Sequence, residues 1–355
     1  MCNLYQPKDM AKSRITYIDT LKGVCIILVM LMHCGLPVGS DNEMISQFND
    51  ALRTYRMPTY YFLSGIFFKT YGGLGDFTRR KVNNIIIPLF FFYILNVVGS
   101  FLFVSCLNLL NGQSASYDWV SVFDIFYRID WRLQCVIPLW FLLSLFWANL
   151  IFYVIKSKFN DVVSCILIAS LAIVGFFLDV HKVPIPWYIT SSLIGLPYFV
   201  LGYYIKQIGW LQCGVIRWLG LLQFLIVGAI VVCIARDYTQ VKTLSSFLLY
   251  RYLVPFASVL SLFWCCKSLP RAVPIVTFLG RYSLIVLGTH MFLISYLYLI
   301  PMRLFGADNK WLCRLCMFAI VILLELMIVP FMRDKFAKFT AQKEFFKPGW
   351  KIKAE

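Results

Sequence analysis

The chain is a succession of long apolar runs separated by short polar passages. A helix needs about 20 consecutive apolar residues to cross the hydrocarbon core of a bilayer. Read against that length, the pattern predicts spans at Ile18–Leu36, Met57–Thr70, Ile85–Leu110, Val136–Ile155, Val162–Val180, Trp187–Ile205, Ile216–Ala235, Ser245–Cys265, Ser283–Ile300 and Leu312–Phe331. The second is short for a crossing and the third is long. The longest connection, Asn111–Cys135, carries Trp119, Phe123, Tyr127 and Trp131 at four-residue intervals. That spacing gathers the aromatic residues on one face of a helix, either an anchor at the membrane surface or a lid over an outward-facing site. The expected fold class is therefore all-α, a polytopic membrane bundle of about ten transmembrane helices. It occupies residues 1–335 and is followed by a basic cytoplasmic tail, 336–355.

Composition strengthens this reading. The 355 residues are 60% hydrophobic and only 14% charged, with mean hydropathy +0.76. Soluble domains hold about 45–50% apolar and about 25% charged residues, so a soluble fold is excluded. A net charge of +16 would point to nucleic acid in a soluble protein. Here the basic residues gather on alternate connections: Lys8, Lys12, Arg14 and Lys22; Lys69, Arg79, Arg80 and Lys81; Lys156 and Lys158; Lys206 and Arg217; Lys267, Arg271 and Arg281; and the tail from Arg333 to Lys353. Cytoplasmic loops carry such an excess, so both termini are expected inside (N-in and C-in). The expected partners are membrane lipids, including anionic headgroups under the tail, and no nucleic acid. The twelve cysteines are scattered through apolar runs without CxxC or Cys/His spacing, so neither a metal site nor a disulfide framework is expected. Only Cys106 and Cys135 fall near an outer loop. No cleavable signal peptide precedes the first run.

Ionisable residues inside the apolar runs are costly there and mark candidate sites. His33 ends the run Val24–Met32, and Lys22 precedes it by eleven residues, about 16 Å of helix. A cation at the inner face and an imidazole deeper in the bundle suit a long molecule with an anionic end and a reacting end. The alternative is that Lys22 follows the charge bias and His33 bonds a carbonyl. His290 lies nine residues beyond Arg281, about 13–14 Å, at nearly the depth of His33, so the two imidazoles are expected to share a cavity. Glu325, the one acid well inside a predicted span, either orients a histidine, neutralises an arginine or serves as a structural hydrogen-bonding partner. Arg53 and Arg56 stand outside the second span, where a guanidinium binds a sugar carboxylate, developing negative charge or a lipid headgroup. Pro58 suits that helix's first turn. Arg79, Arg80 and Lys81, ahead of Asn83, Asn84 and Pro88, form an inner cluster that fits the phosphates of a nucleotide-like donor or an ordinary basic loop.

The pattern Ile18-Asp19-x-Leu21-Lys22-Gly23, then His33, then Met57-Pro58-x-Tyr60-Tyr61-Phe62-Leu63-Ser64-Gly65, resembles the first two spans of the acyltransferase-3 family of integral membrane O-acyltransferases. It looks closest to the fucose 4-O-acetylase-like branch. Pro138-Leu139-Trp140-Phe141-Leu142 and His290 extend the likeness along the chain. The resemblance implies an acyltransferase (EC 2.3.1.-) in the bacterial plasma (inner) membrane. Such an enzyme moves an acyl group, usually acetyl, from cytoplasmic acetyl-CoA to a hydroxyl of a cell-surface or lipid-linked glycan. Acetyl-CoA is then a co-substrate, with no permanently bound cofactor. His33 matches the family's catalytic histidine, with His290 beside it. Lys22, Arg79, Arg80 and Lys81 would hold the donor, and Arg53 and Arg56 the acceptor. Four positions depart from the family pattern: Lys22 stands where many members have arginine, Arg56 where close relatives have histidine, and Asn83 and Asn84 where relatives carry further basic residues. The competing readings are a multi-span transporter or glycan-export component, which inverted repeats would support, and a structural or sensing protein whose buried polar residues are packing contacts.

Overall fold

In lipid a backbone must satisfy its own N–H and C=O groups, which leaves the helix as the natural form for apolar runs of this length. In the computed structural model, which describes residues 15–35, 49–111, 134–211, 214, 217–234, 243–269, 273–306 and 308–346, every regular element among the described residues is helical. The elements are α1 (Thr16–His33), α2 (Arg56–Ile66), α3 (Leu74–Lys81), α4 (Ile87–Leu110), α5 (Trp140–Lys158), α6 (Asp161–Val180) and α7 (Ile189–Gln207). They continue with α8 (Arg217–Ile234), α9 (Leu244–Leu248), α10 (Val254–Ser268), α11 (Pro274–Arg281), α12 (Ser283–Leu297), α13 (Leu299–Phe305) and α14 (Lys310–Lys335). The aromatic stripe Trp119–Trp131 lies outside the described residues.

Each of the ten predicted spans falls on a helix, but not all are crossings of the expected kind. Among the described residues seven helical stretches are long and apolar enough to cross a membrane, or eight when the bent pair α11 and α12 is taken as one. The second predicted span is only the 11-residue α2, about 16 Å long and half the hydrocarbon thickness. The seventh is the shorter apolar stretch Trp218–Ile234. The ninth starts at a 92° bend, Arg281 to Ser283, that pairs its helix α12 with the preceding α11, while the third begins earlier, in a continuous 37-residue stretch, Leu74–Leu110.

Prolines set the local irregularities. A π-turn, Val82–Ile86, joins α3 to α4, and a second, Leu249–Leu253, joins α9 to α10. Each ends two residues before a proline, Pro88 or Pro255. A proline inside a helix has no N–H to offer and its ring crowds the carbonyl four residues back. Widening the preceding turn relieves that crowding. At Pro255 the vacated carbonyl belongs to Arg251, and the Tyr198 hydroxyl donates to it instead.

The chain divides into two units. One comprises Met1–Val29, Asn42–Phe67 and Tyr198–Ser283. Its core holds Leu21, Cys25, Phe62, Val259 and Phe263, all fully or almost fully buried. Small residues let its helices approach closely, as in membrane bundles generally. A Cβ on Gly65 would stand 1.8 Å from the Phe199 carbonyl oxygen, and one on Gly202 would stand 1.9 Å from that of Phe62. The α1–α11 contact is built the same way: a Cβ on Gly23 or Gly280 would collide with the backbone of Val276 or Asp19, and Thr20 and Thr277 bring their hydroxyls to 3.3 Å.

The other unit comprises Met30–Asp41, Phe68–Pro197 and Leu284–Glu355. It contains the last turn of α1, helices α3 to α6, the start of α7, and α12 to α14. On α14 Leu323 and Met327 are exposed while Glu325, between them, is fully buried. This inverted arrangement, apolar outward and polar inward, is that of a helix bathed in lipid. Residues 336–346 also pack here: Phe91 stacks on Phe339 with ring centroids 5.2 Å apart, and Thr340 is fully buried.

The glycine contacts give a direct test. Gly65→Ala should destabilise the detergent-solubilised protein by about 1–3 kcal/mol or more, the usual cost of overpacking. Gly75→Ala, where nothing lies within 4 Å of the new methyl group, should leave the thermal midpoint unchanged or slightly raised. Equal midpoints for the two variants would contradict the close α2–α7 contact.

Candidate functional site

His33 is the last residue of α1, and His290 sits in the middle of α12. The fold brings the two imidazoles together. His33 Nδ1 lies 2.9 Å from His290 Nε2, and the rings are nearly parallel, 12° apart with centroids at 5.2 Å. His290 is fully buried and His33 is 8% exposed.

The hydrogen-bond pattern fixes the tautomers. His290 Nδ1 lies 2.7 Å from the carbonyl oxygen of Val286. A carbonyl only accepts, so Nδ1 of His290 carries the proton, and in the neutral ring Nε2 has the lone pair. His33 Nδ1 must then donate to that lone pair. In a neutral His33 ring the remaining nitrogen, Nε2, then carries the lone pair. The pair thus forms a directional chain from Val286 C=O through His290 to His33, in which Nε2 is the basic nitrogen of a neutral His33 ring.

The surroundings of His290 are tightly specified. Asn96 on α4 donates to the Gly288 carbonyl at 2.9 Å and to the Cys135 carbonyl at 3.3 Å. Gly288 packs so closely on the Phe92 ring that a Cβ there would stand 2.3 Å from Cγ. Thr289 Oγ1 lies 2.9 Å from Ile285 O and 2.7 Å from Glu325 Oε1. Of the roles open to Glu325, the geometry supports that of a hydrogen-bonding partner, with a hydroxyl on the residue next to His290. Cys135, expected near an outer loop, is buried with its thiol on the Asn96 carbonyl, whereas Cys106 is exposed.

One charged residue was missed by the sequence reading. Arg314 on α14 is buried, 4% exposed, and donates to the Leu31 carbonyl beside the turn that follows His33. The signal was present, since Arg314 lies inside the predicted span Leu312–Phe331 and meets the same criterion that singled out Glu325.

The remaining predicted site residues divide. In the unit that contains Met1–Val29, Lys22 Nζ lies over the Phe67 ring at 5.6 Å, and its carbonyl accepts from Tyr60 at 3.1 Å. Arg53 and Arg56 do not act as a pair. The Arg53 side chain is half exposed and lies 3.5 Å from Asp50, while Arg56 is buried and donates to the Asn49 carbonyl at 3.2 Å.

In the unit that holds the histidines, Arg79, Arg80 and Lys81 fall on α3. They are not a bare cationic cluster. Asp76 pairs with both Arg79 and Arg80, the latter at 3.2 Å, and Glu344 lies 3.8 Å from Arg80. Arg80 also stacks on Tyr71 at 4.5 Å, and Lys81 lies over Phe77 at 5.3 Å. Asn83, within the π-turn, exchanges two 2.9 Å hydrogen bonds with the backbone of Phe346. The tail is thereby held against the base of α4.

A family model described as an acyltransferase domain matches residues 15–329. Comparison with curated proteins and with solved structures gave no match.

Asn96→Ala removes both bonds that tie α4 to Gly288 and Cys135. A buried acceptor left without its donor costs about 1–3 kcal/mol, so the thermal midpoint in detergent should fall. An unchanged midpoint would show that these carbonyls do not depend on Asn96.

Proposed function

This chain belongs to the acyltransferase-3 family and is a membrane acyltransferase, and on that premise we propose that it moves an acyl group, most simply acetyl, from cytoplasmic acyl-CoA to a hydroxyl of a cell-surface or lipid-linked glycan. The observation that carries the reading is the His33–His290 hydrogen bond and the tautomers it requires. Acyl transfer from a thioester to an alcohol needs a base whose proton affinity matches operating pH, and a neutral imidazole supplies one.

In the proposed mechanism His33 Nε2 takes the proton of the acceptor hydroxyl as its oxygen attacks the thioester carbonyl. The new C–O bond forms, the C–S bond breaks, and the departing CoA thiolate receives the proton from His33. His290 holds His33 in the productive tautomer and shares the positive charge through the N–H···N bond. Its own proton stays on Nδ1, tied to Val286. This is the division of labour between a base and the group that orients it.

The donor and acceptor assignments follow from charge. Arg79, Arg80 and Lys81 are proposed to hold the phosphates of the donor, with the phosphates competing against Asp76 and Glu344 for Arg80, and Lys22 is proposed separately as a donor-binding cation. Arg53 is proposed to meet the acceptor. Arg56, buried against the Asn49 carbonyl, is proposed to shape the start of α2 beside it. The basic bias of alternate connections supports an N-in, C-in orientation in a bacterial plasma membrane, with acyl-CoA on the cytoplasmic side. The motifs of α1 and α2 favour the fucose 4-O-acetylase-like branch.

The test is transfer from radiolabelled acetyl-CoA in membranes that contain the protein and its glycan acceptor. Loss of a general base slows a reaction by about 10²–10⁴-fold, so His33→Ala should reduce transfer by that range. Full transfer by His33→Ala would remove the mechanism, and no transfer by the unaltered protein would remove the function.

A further inference from the structure

The C-terminal turn of α1 leaves the Leu31 carbonyl without its usual donor. In a continuing α-helix the Leu31 carbonyl would take the N–H of Gly35. Here the Cys34 N–H reaches Met30 O at 2.9 Å, but the Gly35 N–H closes a tighter turn onto Met32 O at 3.1 Å. Among the described residues no backbone N–H takes the Leu31 carbonyl. Such an acceptor is expensive to leave unsatisfied inside a membrane bundle.

Arg314 fills the vacancy from another helix. Its Nε donates to Leu31 O at 3.0 Å, two residues before His33. The guanidinium lies flat against the turn: a Cβ on Gly35 would stand 3.2 Å from both Cζ and Nε. Trp311, one turn back on α14, lies 5.7 Å away beneath the same group. A carbonyl, a glycine and an indole therefore all bear on the guanidinium, and the cation faces the negative end of the α1 dipole. Lysine offers no planar fork to match this arrangement.

We propose that Arg314 is a positioning residue for the proposed reaction: by capping the Leu31 carbonyl it fixes the last turn of α1, and through that turn the imidazole of His33 against His290. The catalytic part of this proposal rests on the acyl-transfer reading, whereas the structural part does not. A shift of about 1 Å in a reacting group costs about a hundredfold in rate, so a loosened turn at His33 is felt in turnover rather than in donor binding.

Two measurements on the full-length protein in detergent or nanodiscs test it. Hydrogen exchange followed by mass spectrometry should show faster exchange of a peptide covering residues 31–35 in Arg314→Ala than in the unaltered protein. Peptides from α5 and α6 should be unchanged. With labelled acetyl-CoA, Arg314→Ala should lower kcat about a hundredfold and leave the KM for acetyl-CoA unaltered, while Arg314→Lys, which keeps a donor and a charge, should recover part of that loss. In a His33→Ala background, Arg314→Ala should cause no further loss, because a residue that acts through His33 has nothing left to position. Unchanged exchange at residues 31–35, wild-type kcat in Arg314→Ala, or the same fractional loss in both backgrounds would each overturn the proposal. If the unaltered protein transfers no acyl group, the functional reading fails and the exchange experiment alone decides the role of Arg314.

Discussion

Inside a lipid-bathed bundle no water stands ready to satisfy a polar group, and that constraint shapes this molecule wherever its regular helices are interrupted. Pro255 withdraws the donor for the Arg251 carbonyl, and the Tyr198 hydroxyl replaces it. The α1 terminus skips the Leu31 carbonyl, and Arg314 reaches across to it. Asn96 binds two carbonyls from different segments, and Thr289 lies between a helix carbonyl and Glu325. Each replacement also ties one element to another. In this environment a hydrogen bond left unmade is more costly than one made is favourable, so these ties are strict.

The histidine pair is the chemically significant case of the same rule. An imidazole carries one donor and one acceptor when neutral, and both must be placed. Val286 fixes one end of His290, and His33 takes the other. The tautomer of His33 is thereby set by a carbonyl on another helix, without any charge being introduced. The basic Nε2 of a neutral His33 is well suited to proton transfer within a family of membrane acyltransferases. The residues that hold the chain, Asn96, Gly288 and Arg314, matter through geometry.

Much of the helix inventory was legible in the sequence because hydrophobic length is a strong signal: all ten predicted runs are helical. Which of them are full crossings was less legible. The reading allowed α2 to be short, but the 92° break at Tyr282 and the early start at Leu74 were not visible in composition. Depth counting placed His33 and His290 at one level, and they do meet. It did not show that His33 ends its helix, nor which nitrogen faces which, since both depend on how the last turn closes. Arg314 lay within a predicted span, but its place against the Leu31 carbonyl depends on how the last turn of α1 closes. The cluster Arg79–Lys81 fitted either donor phosphates or an ordinary basic loop, and its pairing with Asp76 and with Glu344, the latter far away in sequence, emerges only in the fold. Local charge along a sequence does not reveal which counter-charges the fold brings back.

The central claim is the proton arrangement of the His33–His290 pair. It is tested most directly by nuclear magnetic resonance of the histidine-labelled protein in detergent at neutral pH, where only three histidines contribute signals. The account predicts a scalar coupling across the hydrogen bond between Nδ1–H of His33 and Nε2 of His290, with Nδ1 of His290 protonated and Nε2 of His33 unprotonated. Absence of that coupling together with a proton on Nε2 of His290 would contradict it.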